Sequence, residues 1–291
     1  MKVTGFTIAR NVITYDYPIV ESIRSLLPLC DEVVVAVGNS TDETMQLIRS
    51  IGDPKIKIIE TVWDDQLRVG GKVLAAETDK AYAAIAADTD WCIYLQADEV
   101  LHEKDYTYLL NQMQHYRKDP RVEGLILRYR HFYGSYDYVG DARLWYRNEI
   151  RILRKRSDIH SYRDAQGFRK KDGSKLKVKA LDAFVHHYGW VKHPKFQQLK
   201  QQNFNKLWHD DDWVKENVAD VAEFDYSQID SVQEFVGTHP AVMQKRIDAL
   251  NWHFTFDPTQ KKLDLKNRIL YWIEKWTGWR VGEYRNYEII K

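Results

Sequence analysis

The sequence predicts an α/β protein with a doubly wound, mostly parallel sheet and a helical C-terminal extension. Strand and helix patterns alternate over the first 100 residues, the alternation breaks near residue 120, and apolar spacing is helical beyond Pro194. Such alternation specifies parallel strands joined by right-handed crossovers. We expect a sheet domain over residues 1–190 and an extension packed on it over residues 191–291.

The first half contains a series of predicted strands separated by helices. The strands are residues 3–9, the β-branched run 32–37, residues 55–61 and the apolar run 91–95. The first helix follows Pro18, which suits an initial turn. The second is expected after Ser40 and Glu43, which have capping-box spacing, and the third is the alanine-rich stretch 72–87.

The second half has longer strands and then helices. The strands are predicted in EGLILRYRHFYG (123–134), EIRILRK (149–155) and KVKALDAFVHHYGW (177–190). Helical spacing marks KFQQLKQQNFNKLW, HPAVMQKRIDAL and LKNRILYWIEKW.

Composition narrows the classes of function. The 43 basic and 42 acidic side chains leave a net charge of +1, which argues against a nucleic-acid binder. No apolar run approaches the roughly 18–20 residues of a membrane span. The first residues look like a strand without a secretory segment, and Cys30 and Cys92 lack metal-type spacing. We therefore expect a cytoplasmic protein with buried free thiols.

Polar residues follow three of the predicted parallel strands, where open sheets bind their ligands. They are Arg10 and Asn11, then Gly38, Asn39 and Ser40, and finally Gln96, Asp98 and Glu99. The turn from Ser40 to Asp42 opens a helix that either receives an anion or is simply capped. An acidic pair such as Asp98 and Glu99 suits a hard divalent cation bridging to phosphate. The alternative is that Asp98 caps a helix and Glu99 is solvated.

Three segments resemble the family-2 glycosyltransferases: FTIARN, CDEVVVAVGNSTDET and DWCIYLQADE. The resemblance implies a GT-A fold, a nucleotide-diphosphate sugar donor (UDP-sugar favoured) and a divalent cation, Mn or Mg, with Asp98 as a direct ligand. Two departures are Gly38 after Val37, where many members have an acid that contacts the nucleoside, and Gln96 in place of the motif's first acid. The expected donor-binding residues are Ala9, Arg10, Asn11, Gly38, Asn39, Ser40, Asp42, Lys72, Gln96 and Ala97.

Later segments supply the remaining candidates. FVHHYGWVK resembles a segment that gives a late histidine to the metal, and His187 is preferred to His186 because strand alternation separates them. The alternative is a structural histidine. Residues 151–179 hold eleven Lys or Arg against three acids, which indicates phosphate contacts or a solvated loop. Within it Asp164 is the expected catalytic base.

Glu149 is the runner-up to Asp164, and Asp158 competes for the same role. In the tail, Leu265, Ile269, Trp272, Trp276 and Trp279 follow helical spacing among basic residues. A stripe docked on the core is the preferred interpretation, and an interfacial helix at the inner face of a membrane is the alternative.

These observations predict a metal-dependent glycosyltransferase of the hexosyltransferase type, acting on a carbohydrate or glycolipid acceptor in polysaccharide or glycolipid synthesis. By resemblance the reaction is inverting. One rival is a nucleotidyltransferase, but IARNVITYDYP lacks the glycine expected after its first strand. The other is a non-catalytic nucleotide-sugar-binding protein, for which Gln96 is the motive.

Overall fold

Four parallel strands form one half of the main sheet in the computed structural model, which describes residues 1–64, 66–67, 69–209 and 211–291. They are β1 (Val3–Ala9), β2 (Glu32–Val37), β3 (Ile56–Glu60) and β4 (Trp91–Tyr94). Their order is β3–β2–β1–β4. Every residue of the central strand β1 is buried, as expected for a strand covered on both faces. The predicted doubly wound core is confirmed.

Helices cover both faces of these strands. They are α1 (Ile19–Leu26), α2 (Thr44–Arg49) and α3 (Lys72–Ala83). Ile19 and Ile23 of α1 pack in one apolar cluster, and Val73 and Ala81 of α3 pack in a second. The predicted capping box is wrong, because Glu43 occupies the N-cap position of α2 without a side-chain hydrogen bond. Gly70 and Gly71 lead the chain into α3 with left-handed φ values of 68° and 67°, and Arg68 lies outside the described residues.

The middle of the chain extends the sheet with strands of both directions. Its elements are β5 (Glu99–Leu101), α4 (Tyr106–Tyr116), β6 (Gly124–Tyr133), β7 (Tyr138–Gly140), β8 (Asn148–Arg154), β9 (Ile159–Tyr162), β10 (Gly167–Lys170) and β11 (Leu176–Trp190). β8 pairs antiparallel with β4 and β6, while β6 pairs in parallel with β11. The strands β9 and β10 form a separate hairpin. The long strands β6, β8 and β11 match the predicted segments.

The tail combines helices with two short strands. Its elements are α5 (Pro194–Asn205), α6 (Asp211–Asn217), β12 (Val232–Glu234), α7 (Gln244–Asp248), α8 (Leu265–Thr277) and β13 (Tyr287–Ile289). Single 3₁₀ turns occur at Val69–Gly71, Glu103–Asp105, Tyr226–Gln228 and Ala241–Met243. β12 pairs with β7 and β13 with β11, so both strands join the main sheet. The division of the chain at residue 190 stays a prediction.

Cys30 and Cys92 are free and buried, as predicted, and burial raises the pKa of the Cys92 thiol to about 12. In the described ranges, every helix is too short or too polar to span a bilayer.

A buried ion pair joins β5 to β8 at the centre of the sheet. Glu99 and Arg151 are each 0% exposed and form two hydrogen bonds of 2.8 Å, from Nε to Oε2 and from Nη2 to Oε1. Glu99 also accepts hydrogen bonds from the Tyr129 hydroxyl and the Gln96 amide. Each carboxylate oxygen of Glu99 therefore accepts two hydrogen bonds, which offsets the cost of removing the two charges from water.

We expect Arg151→Met to lower the free energy of unfolding by about 3–5 kcal/mol, because it leaves the Glu99 charge buried and unpaired. Arg49→Met is the matched control, since Arg49 makes an exposed ion pair with Glu60 at 3.4 Å. Loss of the Arg49–Glu60 pair should lower the free energy of unfolding by less than about 1 kcal/mol. Urea denaturation measures both values, and equal losses would contradict the role given to the buried pair.

Candidate functional site

A cavity of about 820 Å³ lies at the carboxyl ends of β1 and β4. Arg10 and Asn11 line it from the end of β1, and Gln96, Ala97 and Asp98 line it from the end of β4. The opposite wall comes from α5 and the residues that follow it, including Lys200, Gln201 and Phe204. The cavity is thus in the crevice where a doubly wound sheet binds its ligands.

Asp98 is buried in the wall that follows β4, and its carboxyl group is ionised. Burial opposes the charge of Asp98. Its pKa is nevertheless lowered to about 2 by the nearby Lys200, His187 and Lys192. Asp98 does not cap a helix, so that alternative is wrong. The next helical turn begins at Glu103, and the His102 side chain caps it by accepting from the Lys104 amide. The carboxylate of Asp98 is therefore available to the cavity.

His187 comes to the same place from β11. Its Nε2 lies 3.7 Å from Asp98 Oδ1, and its Nδ1 shares a 3.1 Å hydrogen bond with His131 Nδ1. Burial lowers the pKa of His187, which favours the neutral ring. His186 points to the opposite face, where its ring stacks on Phe132 and lies 3.3 Å from Arg130 Nη1. The predicted separation of the two histidines is confirmed.

Two residues complete this group, and the sequence interpretation missed both. A Cβ at Gly189 would lie 2.6 Å from Asp98 Oδ2 and 2.8 Å from His187 Nε2, so only glycine leaves room for the two side chains. Lys200 Nζ lies 3.3 Å from Asp98 Oδ2 and donates to the Gly189 carbonyl at 2.9 Å. A glycine inside the predicted strand was an available signal for close approach. Lys200 had no local signal beyond its place in a helix.

The donor atoms of Asp98 and His187 fit a divalent cation shared with a phosphate ligand. One carboxylate and one neutral imidazole are ligands for Mn²⁺, and the absence of a Cβ at Gly189 leaves space beside both side chains, while Lys200 contacts Asp98 Oδ2. In the described ranges, no group of three or more His, Cys, Asp or Glu is placed to hold a metal. Remaining ligands would have to come from a bound molecule or water. Glu99 is excluded as a ligand because both of its oxygens accept hydrogen bonds, from Arg151, Tyr129 and the Gln96 backbone amide. The alternative that Glu99 is solvated is wrong, because its side chain is buried.

The expected donor-binding residues divide into two groups. Arg10, Asn11, Gln96 and Ala97 line the cavity, whereas Ala9, Gly38, Asn39, Ser40, Asp42 and Lys72 do not. Ser40 accepts a hydrogen bond from the Asn11 amide, and Asp42 Oδ2 accepts from the amides of Ile13 and Thr14. These bonds tie the loop after β1 to the loop after β2. At the start of α2 Ser40 and Asp42 therefore stabilise the turn, and a role in donor binding stays a prediction.

Trp63 is a cavity residue that the sequence interpretation did not find. A Cβ at Gly38 would lie 2.3 Å from Trp63 Nε1, so the glycine leaves space for the indole. The Trp63 amide donates to Asn39 Oδ1 at 3.1 Å, and the Arg10 guanidinium lies 5.3 Å from the Trp63 ring. Gly38 and Asn39 thus act by positioning Trp63, which lines the cavity.

The loop of the β9–β10 hairpin carries Asp164 into the cavity wall. Arg163 and Ala165 on either side adopt left-handed φ values of 57° and 62°, which is unusual for residues other than glycine. Arg151 Nη1 donates to the Gln166 carbonyl at 3.0 Å and holds the loop. Burial raises the pKa of Asp164, which makes its carboxylate a stronger base.

The basic stretch around this loop is not directed at the cavity. Among its residues Asp164 and Ala165 line the cavity, and none of its Lys or Arg side chains does. Arg154 lies over the Trp91 ring, Lys155 donates to the Tyr82 carbonyl, and Arg156 pairs with Asp158. These three cations therefore serve packing within the protein, and the phosphate contacts expected of the stretch stay a prediction.

Glu149 lies behind the cavity wall and does not line it. Burial, with help from the charges of Glu99 and Asp164, raises the pKa of Glu149 to about 8. Its Oε2 has no hydrogen-bond partner. The side chain is therefore protonated at neutral pH, a state in which it cannot accept a proton. Asp158, paired with Arg156, also does not line the cavity.

We expect the Glu149 proton to make stability depend on pH. The folded protein keeps this proton up to about pH 8, whereas the unfolded chain loses it near 4.5. The unfolding free energy should therefore fall as pH rises through this interval, by at most about 1.4 kcal/mol per unit. Glu149→Gln cannot ionise, so its stability relative to wild type should increase with pH in urea denaturation. A difference that is independent of pH would contradict a raised pKa.

Comparisons with known proteins give matches to solved structures only. No family model matches the sequence, and no curated protein matches it. One matching structure is S. aureus TarS in complex with UDP, at 13% identity and a TM-score of 0.40, covering 69% of this chain and 64% of that chain. The alignment thus spans less than two thirds of TarS.

Two further structures match over parts of the chain. A mannosyltransferase from Pyrobaculum calidifontis in complex with GDP-Man and Mn²⁺ has 20% identity and a TM-score of 0.34, covering 44% of this chain and 36% of that chain. The 4-diphosphocytidyl-2C-methyl-D-erythritol synthase from Anaerococcus prevotii has 12% identity and a TM-score of 0.39, covering 66% of this chain and 89% of that chain. At such scores the likeness does not establish an activity, and the fold rests on the strand order described above.

Proposed function

We propose that this protein is a glycosyltransferase that binds a nucleotide-diphosphate sugar in the cavity at the carboxyl ends of β1 and β4. The observation that carries the proposal is the meeting of Asp98 and His187 on the cavity wall, 3.7 Å apart, although they come from distant parts of the chain. A carboxylate, an imidazole and the adjacent Lys200 form a group suited to a diphosphate.

The diphosphate would be bound by charge at this group. Asp98 and His187 would hold the divalent cation, Mn²⁺ or Mg²⁺, which supplies positive charge to the departing diphosphate. Lys200, on the opposite wall, adds an ammonium 3.3 Å from Asp98 Oδ2. Its hydrogen bond to the Gly189 carbonyl keeps the ammonium in place without a change of conformation on binding. Preorganised charge of this kind stabilises a transition state better than charge that must rearrange.

The nucleoside would lie towards Trp63 and Arg10. An indole face offers a stacking surface for a base, and a guanidinium donates to carbonyl and phosphate oxygens. Gly38 removes the acid that many family-2 members carry at this point, so the base must be read by other groups. We favour a UDP-sugar as the donor.

Asp164 would act as the base towards the acceptor, a carbohydrate or glycolipid hydroxyl. Its carboxylate takes the hydroxyl proton while the acceptor oxygen attacks the anomeric carbon. The new glycosidic bond forms as the bond between that carbon and the diphosphate oxygen breaks, and the nucleoside diphosphate leaves. Attack from the side opposite the leaving group inverts the anomeric centre. The raised pKa of Asp164 favours proton transfer at neutral pH.

Product analysis separates this proposal from its rivals. A glycosyltransferase releases a nucleoside diphosphate from the donor, whereas a nucleotidyltransferase releases pyrophosphate from a nucleoside triphosphate. A non-catalytic binder releases neither in a single turnover. The released product is therefore identified after a single turnover with UDP-, GDP- and CDP-sugars and with the nucleoside triphosphates, each with and without Mn²⁺.

Asp98→Asn should abolish the effect of Mn²⁺ on nucleotide binding, because it removes the anionic ligand. In wild type we expect Mn²⁺ to tighten UDP binding by about tenfold or more, which corresponds to about 1.4 kcal/mol. In the variant the ratio of dissociation constants with and without Mn²⁺ should be near one by calorimetry.

The matched control is Glu103→Gln, which removes an exposed carboxylate from the same segment of chain. Its Mn²⁺ response should equal that of wild type. If Asp98→Asn keeps the full response, the cation is bound elsewhere and the assignment of Asp98 and His187 fails.

Asp164→Asn should lower kcat by about 10²–10⁴-fold while donor affinity stays at the wild-type value, because a general base acts in the chemical step. Glu149→Gln is the control, since it replaces a neighbouring carboxyl that does not line the cavity, and it should keep its turnover. Both variants are compared by nucleotide release and by donor titration. If Asp164→Asn keeps wild-type turnover, Asp164 is not the catalytic base.

A further inference from the structure

Helix α8 presents a row of large apolar side chains to solvent. Leu265, Ile269, Trp272 and Trp276 are spaced by helical turns on one face, and each is between 54% and 83% exposed. Trp279, just past the end of α8, is also exposed. The preferred interpretation, a stripe docked on the core, is therefore wrong. Contiguous exposed apolar surface of this kind marks an interaction site.

The opposite face of α8 is the one that holds the helix on the protein. Tyr271 is buried and donates a hydrogen bond to Asp141 at 2.9 Å. Glu274, the single acid within α8, pairs with Arg143 at 3.0 Å and with Arg147 at 3.4 Å. The helix is thus anchored by its polar side and leaves its apolar side without cover from the described part of the chain.

The charged side chains that flank the exposed row are all cationic. Lys266 lies on one side of the row, and Arg268 and Lys275 lie on the other, as the helical spacing requires. All three are exposed. The single acid of the helix faces inward, where arginines neutralise it. From Leu265 to Thr277 the exposed face of α8 therefore combines indole rings with positive charge, and the exposed Asp264 carboxylate caps the helix N-terminus by accepting from the Asn267 amide.

We propose that this face of α8 docks on an anionic lipid surface. Tryptophan is enriched where hydrocarbon meets headgroups, and lysine and arginine at the edges of such a helix attract anionic lipid. A second copy of the chain is a poorer occupant. A symmetric contact through the row would bring the flanking cations of the two copies against one another, which is repulsive.

The anchoring contacts also set where the cavity lies relative to this face. Arg143 and Arg147 bind α8, and between them Tyr146 lines the cavity. A surface bound by α8 would therefore lie beside one wall of the cavity. The inference does not depend on the proposed function, because it concerns binding to vesicles and not turnover.

Vesicle sedimentation tests the proposal with the full chain. Wild type should bind vesicles of phosphatidylcholine containing about one third phosphatidylglycerol, and bind pure phosphatidylcholine much less, because the flanking cations need anionic lipid. The double variant Trp272→Ser/Trp276→Ser should reduce binding to the anionic vesicles by at least about tenfold. Since both side chains are exposed, the unfolding transition should stay unchanged.

Two further variants make the result decisive. Lys266→Gln/Arg268→Gln should weaken binding about fivefold per cation, the factor that corresponds to about 1 kcal/mol for each basic residue near the surface. Val236→Ser removes an equally exposed apolar side chain outside the row and should bind like wild type. Wild type that does not bind anionic vesicles overturns the proposal. So does wild type that forms a dimer by analytical ultracentrifugation which the double variant converts to a monomer.

Discussion

The buried pairing of Glu99 with Arg151 is the interaction on which the rest of the site depends. Its two hydrogen bonds fix β8 against the turn after β4, and through the Gln96 amide they set the course of the chain into Asp98. The third nitrogen of Arg151 holds the Gln166 carbonyl and so the loop that carries Asp164. One ion pair thus orients two walls of the cavity. Of the two neighbouring acids, Glu99 therefore stabilises the sheet through Arg151, whereas Asp98 lines the cavity.

The parts that could be predicted from sequence are those with local periodicity. The four parallel strands of the first half lie within one or two residues of their predicted ends, because alternating strand and helix patterns report burial directly. Placing Asp98 at the crevice followed from the rule about strand ends. His187 was placed there by the resemblance of its segment to the family-2 glycosyltransferases, and strand alternation only distinguished it from His186. A general rule about topology therefore located part of the site before any contact was known.

The parts that could not be predicted depend on contacts between distant segments. Nothing in the local spacing distinguishes Glu99, which pairs with Arg151, from Asp98, which does not. Arg154 and Lys155 looked like part of a phosphate patch because their partners, Trp91 and Tyr82, lie elsewhere in the chain. Lys200 and Trp63 reach the cavity from a helix and a loop whose docking the sequence pattern does not encode. The row on α8 shows the same limit, since a core stripe and an exposed stripe have identical spacing.

Lys200 belongs to the last third of the chain, and this has a consequence for the order of assembly. The strands that carry Asp98 and His187 are complete once residue 190 has been made, but the wall opposite them, α5, follows later. Until α5 docks, Asp98 lacks the Lys200 ammonium and the crevice is open on one side. A nascent chain would hence carry the strands that flank Asp98 and His187 before it carries the helix that closes the crevice. The closed cavity thus requires the docked tail as well as the sheet.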